Sequence, residues 1–197
     1  MYYTIKPKGN RSIGYTYVCT KIFDNMGIQK IIDSLEKDWF KSEVVQSVTN
    51  EMNDDLTKQR VGNEQPLKII DEHFPYPQIS NSIAEINSDY WKFDITGFDM
   101  LTDQPQVFRY DVGGKFDWHF DVGGSSPTRK LGFTLQLSDS DEYEGGDLEF
   151  FGQEFDKRTR EKGTLIIFPS FVFHRVTEIT KGRRFAVVGW AHGPTFQ

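Results

Sequence analysis

From about residue 93 onward the chain breaks into short apolar segments, each rich in aromatic or β-branched residues and each closed by a turn signal. The segments are 93–98, 106–110, 130–137, 147–151, 164–168, 171–176 and 185–190, punctuated at Gly113-Gly114, Gly123-Gly124, Gly145-Gly146, Pro169 and Gly182. Many short strands at this spacing predict a β-sandwich or barrel. The first half reads differently. Ile28, Ile31, Ile32 and Leu35 fall at helical spacing behind Asp24 as N-cap, and Ile79, Ile83, Ile86 and Tyr90 repeat the pattern after Pro75-Tyr76-Pro77. These helices are expected to pack on one face of the β-structure. Residues 42–66 are polar and fit an edge strand with an exposed loop. No repeat or low-complexity linker interrupts the sequence, so one domain over 1–197 is expected, with its core at about 93–192.

A length of 197 residues is enough for a full hydrophobic core. The net charge is −6, and six acids without a base lie between Asp139 and Glu149 (Asp139, Asp141, Glu142, Glu144, Asp147, Glu149). The basic residues form only small clusters, so tight nucleic-acid binding is not expected. Nor is the acidic stretch an EF-hand: the sixth and twelfth positions, which need Gly and Glu, are Glu144 and Phe150. A solvated hairpin loop is the remaining reading. No run reaches the ~18 apolar residues of a membrane span. Cys19 is the only cysteine, which excludes an internal disulfide and makes a reducing, cytoplasmic setting the expectation.

Four histidines are available: His73, His119, His174 and His192. His73 reads as a loop residue and His192, after the last strand, as solvent-facing. His119-Phe120-Asp121 is an H-x-D, and residues two apart in an extended segment point to the same side. Imidazole and carboxylate can therefore meet on one metal ion, although the motif alone is weak. His174 closes an apolar run, and a second β segment beginning at Arg184 follows ten residues later. Two adjacent strands would bring Arg184 into the same cavity. A buried arginine needs an anion, no acid lies near it in sequence, and a bound carboxylate would supply one. Two histidines and one carboxylate form the facial triad of non-haem Fe(II) oxygenases, which leaves open positions for a chelating 2-oxo acid and O2.

Several ordered stretches carry a resemblance: Val107 to Gly114, Trp118-His119-Phe120-Asp121, Leu135 to Asp139, Tyr143 to Leu148, Gly163 to Ser170, His174 to Thr177 and Lys181 to Arg184. Together, over roughly 78–192, the sequence resembles the Fe(II)/2-oxoglutarate dioxygenases, in particular the prolyl 4-hydroxylase branch with its bacterial PKHD-type hydroxylases. The resemblance implies a double-stranded β-helix (jelly-roll, cupin-like), mostly β, with the N-terminal helices on one sheet. It implies that His119, Asp121 and His174 hold Fe(II), and that Arg184, rather than its neighbour Arg183, pairs with the far carboxylate of 2-oxoglutarate. Tyr110, Gln136, Leu148, Val176 and Trp190 are implied as pocket walls. Gln136 departs from relatives that place a cosubstrate-binding tyrosine there. The retained Asp121 favours hydroxylation over halogenation. The expected reaction couples decarboxylation of 2-oxoglutarate to hydroxylation of a peptidyl proline or other protein side chain, with O2 as co-reactant and ascorbate as a further small-molecule partner.

Three other readings use the same residues. One is an AlkB-like nucleic-acid demethylase, against which stand the acidic charge and the stretch Phe185 to Trp190, where such enzymes carry an Asn-x-x-x-x-x-Arg arrangement. A zinc hydrolase could use His/Asp/His, but has no evident use for Arg184. A non-catalytic β-helix module could keep the fold and only bind a ligand.

Overall fold

The computed structural model describes residues 15–42 and 60–196. Strand β10 (Thr164–Pro169) explains the architecture best, because it is buried along its whole length. Its Leu165 and Ile167 face one apolar cluster, and its Ile166 and Phe168 face another. A strand that buries both faces needs a layer on each side.

On one side the layer is helical. Helix α1 (Asn25–Asp33) starts where Asp24 accepts a hydrogen bond from the Gly27 backbone N–H at 2.9 Å. Helix α2 (Tyr76–Asp89) carries proline in its first turn. Ile28, Ile31, Ile79 and Ile83, each buried, pack with Leu131, Phe133, Leu135, Leu165, Ile167 and Val187 of the sheet. Burying each such side chain contributes about 1.5–3 kcal/mol. The last members of both helical patterns fall beyond the helices: Leu35 still packs against this core, whereas Tyr90 is exposed.

The major sheet runs in the order β1 (Val18–Lys21), β10, β7 (Arg129–Gln136), β13 (Arg184–His192), β5 (Gln106–Tyr110), β4 (Asn63–Pro66), β2 (Phe40–Lys41). Facing it is a shorter sheet ordered β3 (Arg60–Val61), β6 (Lys115–His119), β11 (His174–Val176), β9 (Leu148–Phe150). A two-stranded piece pairs β8 (Tyr143–Gly145) with β12 (Ile179–Gly182). Two antiparallel sheets with helices on one of them form the expected double-stranded β-helix. Among the described residues, no helix is long and apolar enough to cross a membrane.

Three local expectations differ. Residues 93–98 form no strand apart from one bridge between Gly97 and His192. The Asn87 side chain pairs with both backbone groups of Phe93, at 2.8 and 3.0 Å, taking the bonds a sheet neighbour would need. The strand expected over 171–176 begins only at His174, because 170–172 turn after Pro169. Of the edge strand and loop expected at 42–66, residues 43–59 lie outside the described residues, and the rest supplies β3 and β4.

Candidate active site

Register brings the two site histidines together. In the β11–β6 pair His174 lies opposite His119, and their ring centroids are 4.2 Å apart. One step further the register shifts, with Val176 opposite Phe116. Between these pairs Asp117 and Trp118 of β6 oppose the single Arg175 of β11, a bulge of the kind that re-aims side chains beside functional sites.

Each imidazole is oriented by its own chain. His119 Nδ1 lies 2.7 Å from the Asp117 carbonyl oxygen, and His174 Nδ1 lies 2.8 Å from the Val172 carbonyl oxygen. A carbonyl can only accept, so each Nδ1 carries a hydrogen and each Nε2 is the nitrogen turned inward. Both Nε2 atoms face Asp121. His119 Nε2 is 3.5 Å from Asp121 Oδ1, and His174 Nε2 is 3.7 Å from Oδ2. These gaps are too wide for hydrogen bonds.

Burial pushes the Asp121 carboxyl up, but the His174 and His119 imidazoles and the Trp190 indole outweigh it and hold the group well below the usual carboxylate range. Burial pushes His174 down to about 4, with Asp121 opposing and His119 reinforcing the shift. At neutral pH Asp121 is therefore a carboxylate and His174 an unprotonated imidazole. Its three ligand atoms lie within 4.8 Å of one another. Three converging ligand atoms fit a divalent cation, and two nitrogens with one oxygen suit Fe(II).

The surroundings hold Asp121 in place. Its backbone N–H donates to the Ser170 carbonyl at 2.9 Å. A Cβ at Gly132 would stand 2.7 Å from both Asp121 Oδ2 and the Phe168 ring, so only glycine leaves room for the carboxylate. Trp190 is buried, and the Arg129 guanidinium covers its ring at 3.4 Å.

Arg184 lies on β13 with Tyr110 opposite it on β5, and is 2% exposed. Alternation sends Arg183 outward instead, where it pairs with Asp111. Arg184 has no carboxylate partner among the described residues; its Nε donates to Gln136 Oε1 at 3.2 Å. A permanently charged group buried beside a neutral amide still requires an anion.

The remaining wall positions also lie inside. Tyr110 is in a cluster with Phe108, Tyr143 and Ile179, whereas Leu148 and Val176 join Phe150, Ile166 and Phe168. Gln136 is fully buried. Its amide is engaged on both sides, by Arg184 and by Tyr143.

His73 is exposed, as expected for a loop. His192 is a correction: instead of facing solvent it is largely buried, 3.3 Å from Asp103 and 3.0 Å from the Thr128 hydroxyl. Asp103 also binds Arg129 through two contacts of 2.6 Å. The acidic stretch after Asp139 is likewise more than a solvated loop. Arg160 binds the Gly145 and Tyr143 carbonyl oxygens at 2.9 and 2.8 Å and the Asp147 carboxylate at 2.6 Å. Neither cluster was visible in the sequence, since its members lie 13 to 89 residues apart in pairs that no motif links.

Comparison with known proteins agrees with this geometry. Residues 105–192 match the model of the 2OG-Fe(II) oxygenase superfamily. A PKHD-type hydroxylase of Gloeothece citriformis is 38% identical over 86 residues, which is 42% of this chain and 39% of the relative. The match thus spans about two-fifths of that relative's length. A prolyl-4-hydroxylase of Pseudomonas putida superposes with a TM-score of 0.65 at 14% identity, covering 92% of this chain and 94% of the other. A prolyl hydroxylase of Trichoplax adhaerens, solved with a hypoxia-inducible-factor peptide fragment, gives 0.65 at 13% identity, covering 90% and 83%. Residues 105–192, which contain the histidine–aspartate cluster and the buried arginine, are thus similar to the 2OG-Fe(II) oxygenase superfamily over rather less than half of the chain, and the relatives matched over that stretch are PKHD-type hydroxylases.

Proposed function

We propose that the protein is a 2-oxoglutarate-dependent dioxygenase that hydroxylates a C–H bond of a peptidyl proline or another protein side chain, releasing succinate and CO2. The observation that carries the reading is the pairing, inside one sandwich, of a converging His119–Asp121–His174 cluster with a buried arginine that has no acid partner among the described residues. A metal alone satisfies the first feature, and a carboxylate ligand satisfies the second.

In this reading His119, Asp121 and His174 hold Fe(II), whose bound form supplies the activation of O2 and the oxidation. The chain supplies the rest. The Asp117 and Val172 carbonyls fix which imidazole nitrogen faces inward. Arg184 holds the far carboxylate of 2-oxoglutarate and so sets how deeply the cosubstrate enters. Tyr110, Leu148, Val176 and Trp190 wall the interior and exclude water. Trp118, stacked on Phe173, and exposed Phe120 flank His119 and offer aromatic surface to a peptide. The protein substrate is supported by the peptide-bound neighbour. The domain is proposed as a single unit over 1–197. Ascorbate, as a reductant for the iron, and a cytoplasmic setting enter the proposal on the sequence reading alone.

The test is succinate release from 2-oxoglutarate in the presence of Fe(II), screened over proline-containing peptides, free amino acids and nucleotides. Peptide-stimulated succinate release is expected. Zinc-supported hydrolysis with no response to 2-oxoglutarate would overturn the reading, and so would metal and 2-oxoglutarate binding without turnover on any class.

A further inference from the structure

Gln136 occupies the position where some relatives carry a tyrosine for the cosubstrate, and its amide is already fully used. Arginine can only donate, so the amide atom facing Arg184 Nε at 3.2 Å must be the carbonyl oxygen. The amide nitrogen then faces the Tyr143 hydroxyl at 3.0 Å, and it also reaches the Ser138 carbonyl at 3.4 Å. A carbonyl can only accept, so the second contact fixes the same orientation independently.

That assignment decides what Tyr143 can do. Its hydroxyl oxygen accepts from Gln136, which leaves its own hydrogen to be donated elsewhere. The side chain is 3% exposed, and no acceptor for that hydrogen exists among the described residues. Arg184 is in the same condition, since its terminal nitrogens donate to nothing among the described residues. The two unspent donor groups are neighbours. They bind opposite sides of one amide, and a Cβ at Gly146 would touch both, 3.2 Å from Arg184 Cδ and 3.3 Å from the Tyr143 ring. The tyrosine is also firmly held, with the Arg160 guanidinium over its ring at 4.2 Å and bonded to its carbonyl oxygen at 2.8 Å.

We infer that Tyr143 is a second cosubstrate-binding residue, donating its phenolic hydrogen to the same far carboxylate that Arg184 pairs with, while Gln136 is the positioning residue that aligns the two. The inference rests on the proposed 2-oxoglutarate reading and extends it to specificity: two donors at this end select a 2-oxo acid with a second carboxylate.

Calorimetric titration of 2-oxoglutarate into the Mn(II)-loaded protein tests it, with 2-oxobutyrate as a probe that lacks the far carboxylate. Tyr143→Phe removes only the hydroxyl. It is expected to weaken 2-oxoglutarate binding roughly tenfold or more, the scale of a hydrogen bond to a charged group, with Mn(II) and 2-oxobutyrate affinities unchanged. Gln136→Glu keeps the shape but lets the residue accept the Tyr143 hydrogen, and it is expected to weaken 2-oxoglutarate binding as well. Should Tyr143→Phe fold poorly, this second variant still decides. A change below threefold in both variants, while Arg184→Met abolishes the preference for 2-oxoglutarate over 2-oxobutyrate, overturns the role of Tyr143 alone. A wild-type protein with no such preference overturns the cosubstrate reading itself.

Discussion

At the His119–Asp121–His174 cluster three ligand atoms for a cation converge within 4.8 Å of one another, whereas at Arg184 a permanent cation faces no acid among the described residues. Both are buried, and both are incomplete in opposite senses. The difference lies in how each is built. The candidate metal cluster has its two histidines on short, bulged strands of the minor sheet, and its imidazoles take their orientation from backbone carbonyls. The arginine sits on β13 in the major sheet, with its surroundings organised through side chains, Gln136 and Tyr143. The two sites should therefore fail separately.

The largest effect expected is at the metal cluster. Asp121→Ala removes the only charged donor, and the loss in Mn(II) or Fe(II) affinity should exceed the roughly 10–100-fold that an outer-shell change costs; equilibrium dialysis measures it, and turnover should vanish with it. Arg184→Met should do the reverse. It should weaken 2-oxoglutarate by roughly 30-fold or more, as expected when one partner of a buried charge pair is lost, while metal affinity stays within about threefold. If either variant damages both bindings equally, the separation is wrong. Gly132→Ala forces a methyl group against Asp121 and Phe168. A denaturant titration should find about 1–3 kcal/mol of lost stability, accompanied by weaker metal binding.

Acid should also act on the metal cluster alone. The folded-state pKa of His174 is about 4 against an ordinary 6.5, so below 6.5 the unfolded chain takes up a proton that the folded one refuses. The metal-free protein should lose stability as pH falls from 6.5 toward 4, and Mn(II) should suppress that loss. A urea midpoint independent of pH over this window would contradict the placement of His174. The smallest effect is the control: Asp24→Ala removes the cap of α1 and should cost about 1 kcal/mol without moving either binding constant.

The pieces that local alternation governs were legible in the sequence. His119 and Asp121 share a side because they are two apart, and Arg184 rather than Arg183 points inward because β13 alternates. The two-sided burial of β10 was readable as an unbroken apolar run. What escaped depended on partners distant in the chain. The shift that sets His119 opposite His174 belongs to a strand pair, and no single segment encodes it. Aromatic content at 93–98 suggested a strand, yet Phe93 and Phe98 spend their rings on Phe171, Phe196 and Phe133 instead. His192 looked exposed because Asp103 and Thr128, which cover it, arrive from other parts of the fold. Tyr143 stood inside an acidic stretch whose charge masked its burial.

The carbonyls that pin the two imidazoles belong to residues only two positions upstream of each histidine. Which nitrogen meets the metal is thus a property of main-chain path, insulated from side-chain drift in the rest of the molecule. Substitutions across the helical layer can erode stability without turning either ring over. A single-residue insertion or deletion between 117 and 119, or between 172 and 174, would change the coordinating tautomer while leaving the chemical identity of every donor intact.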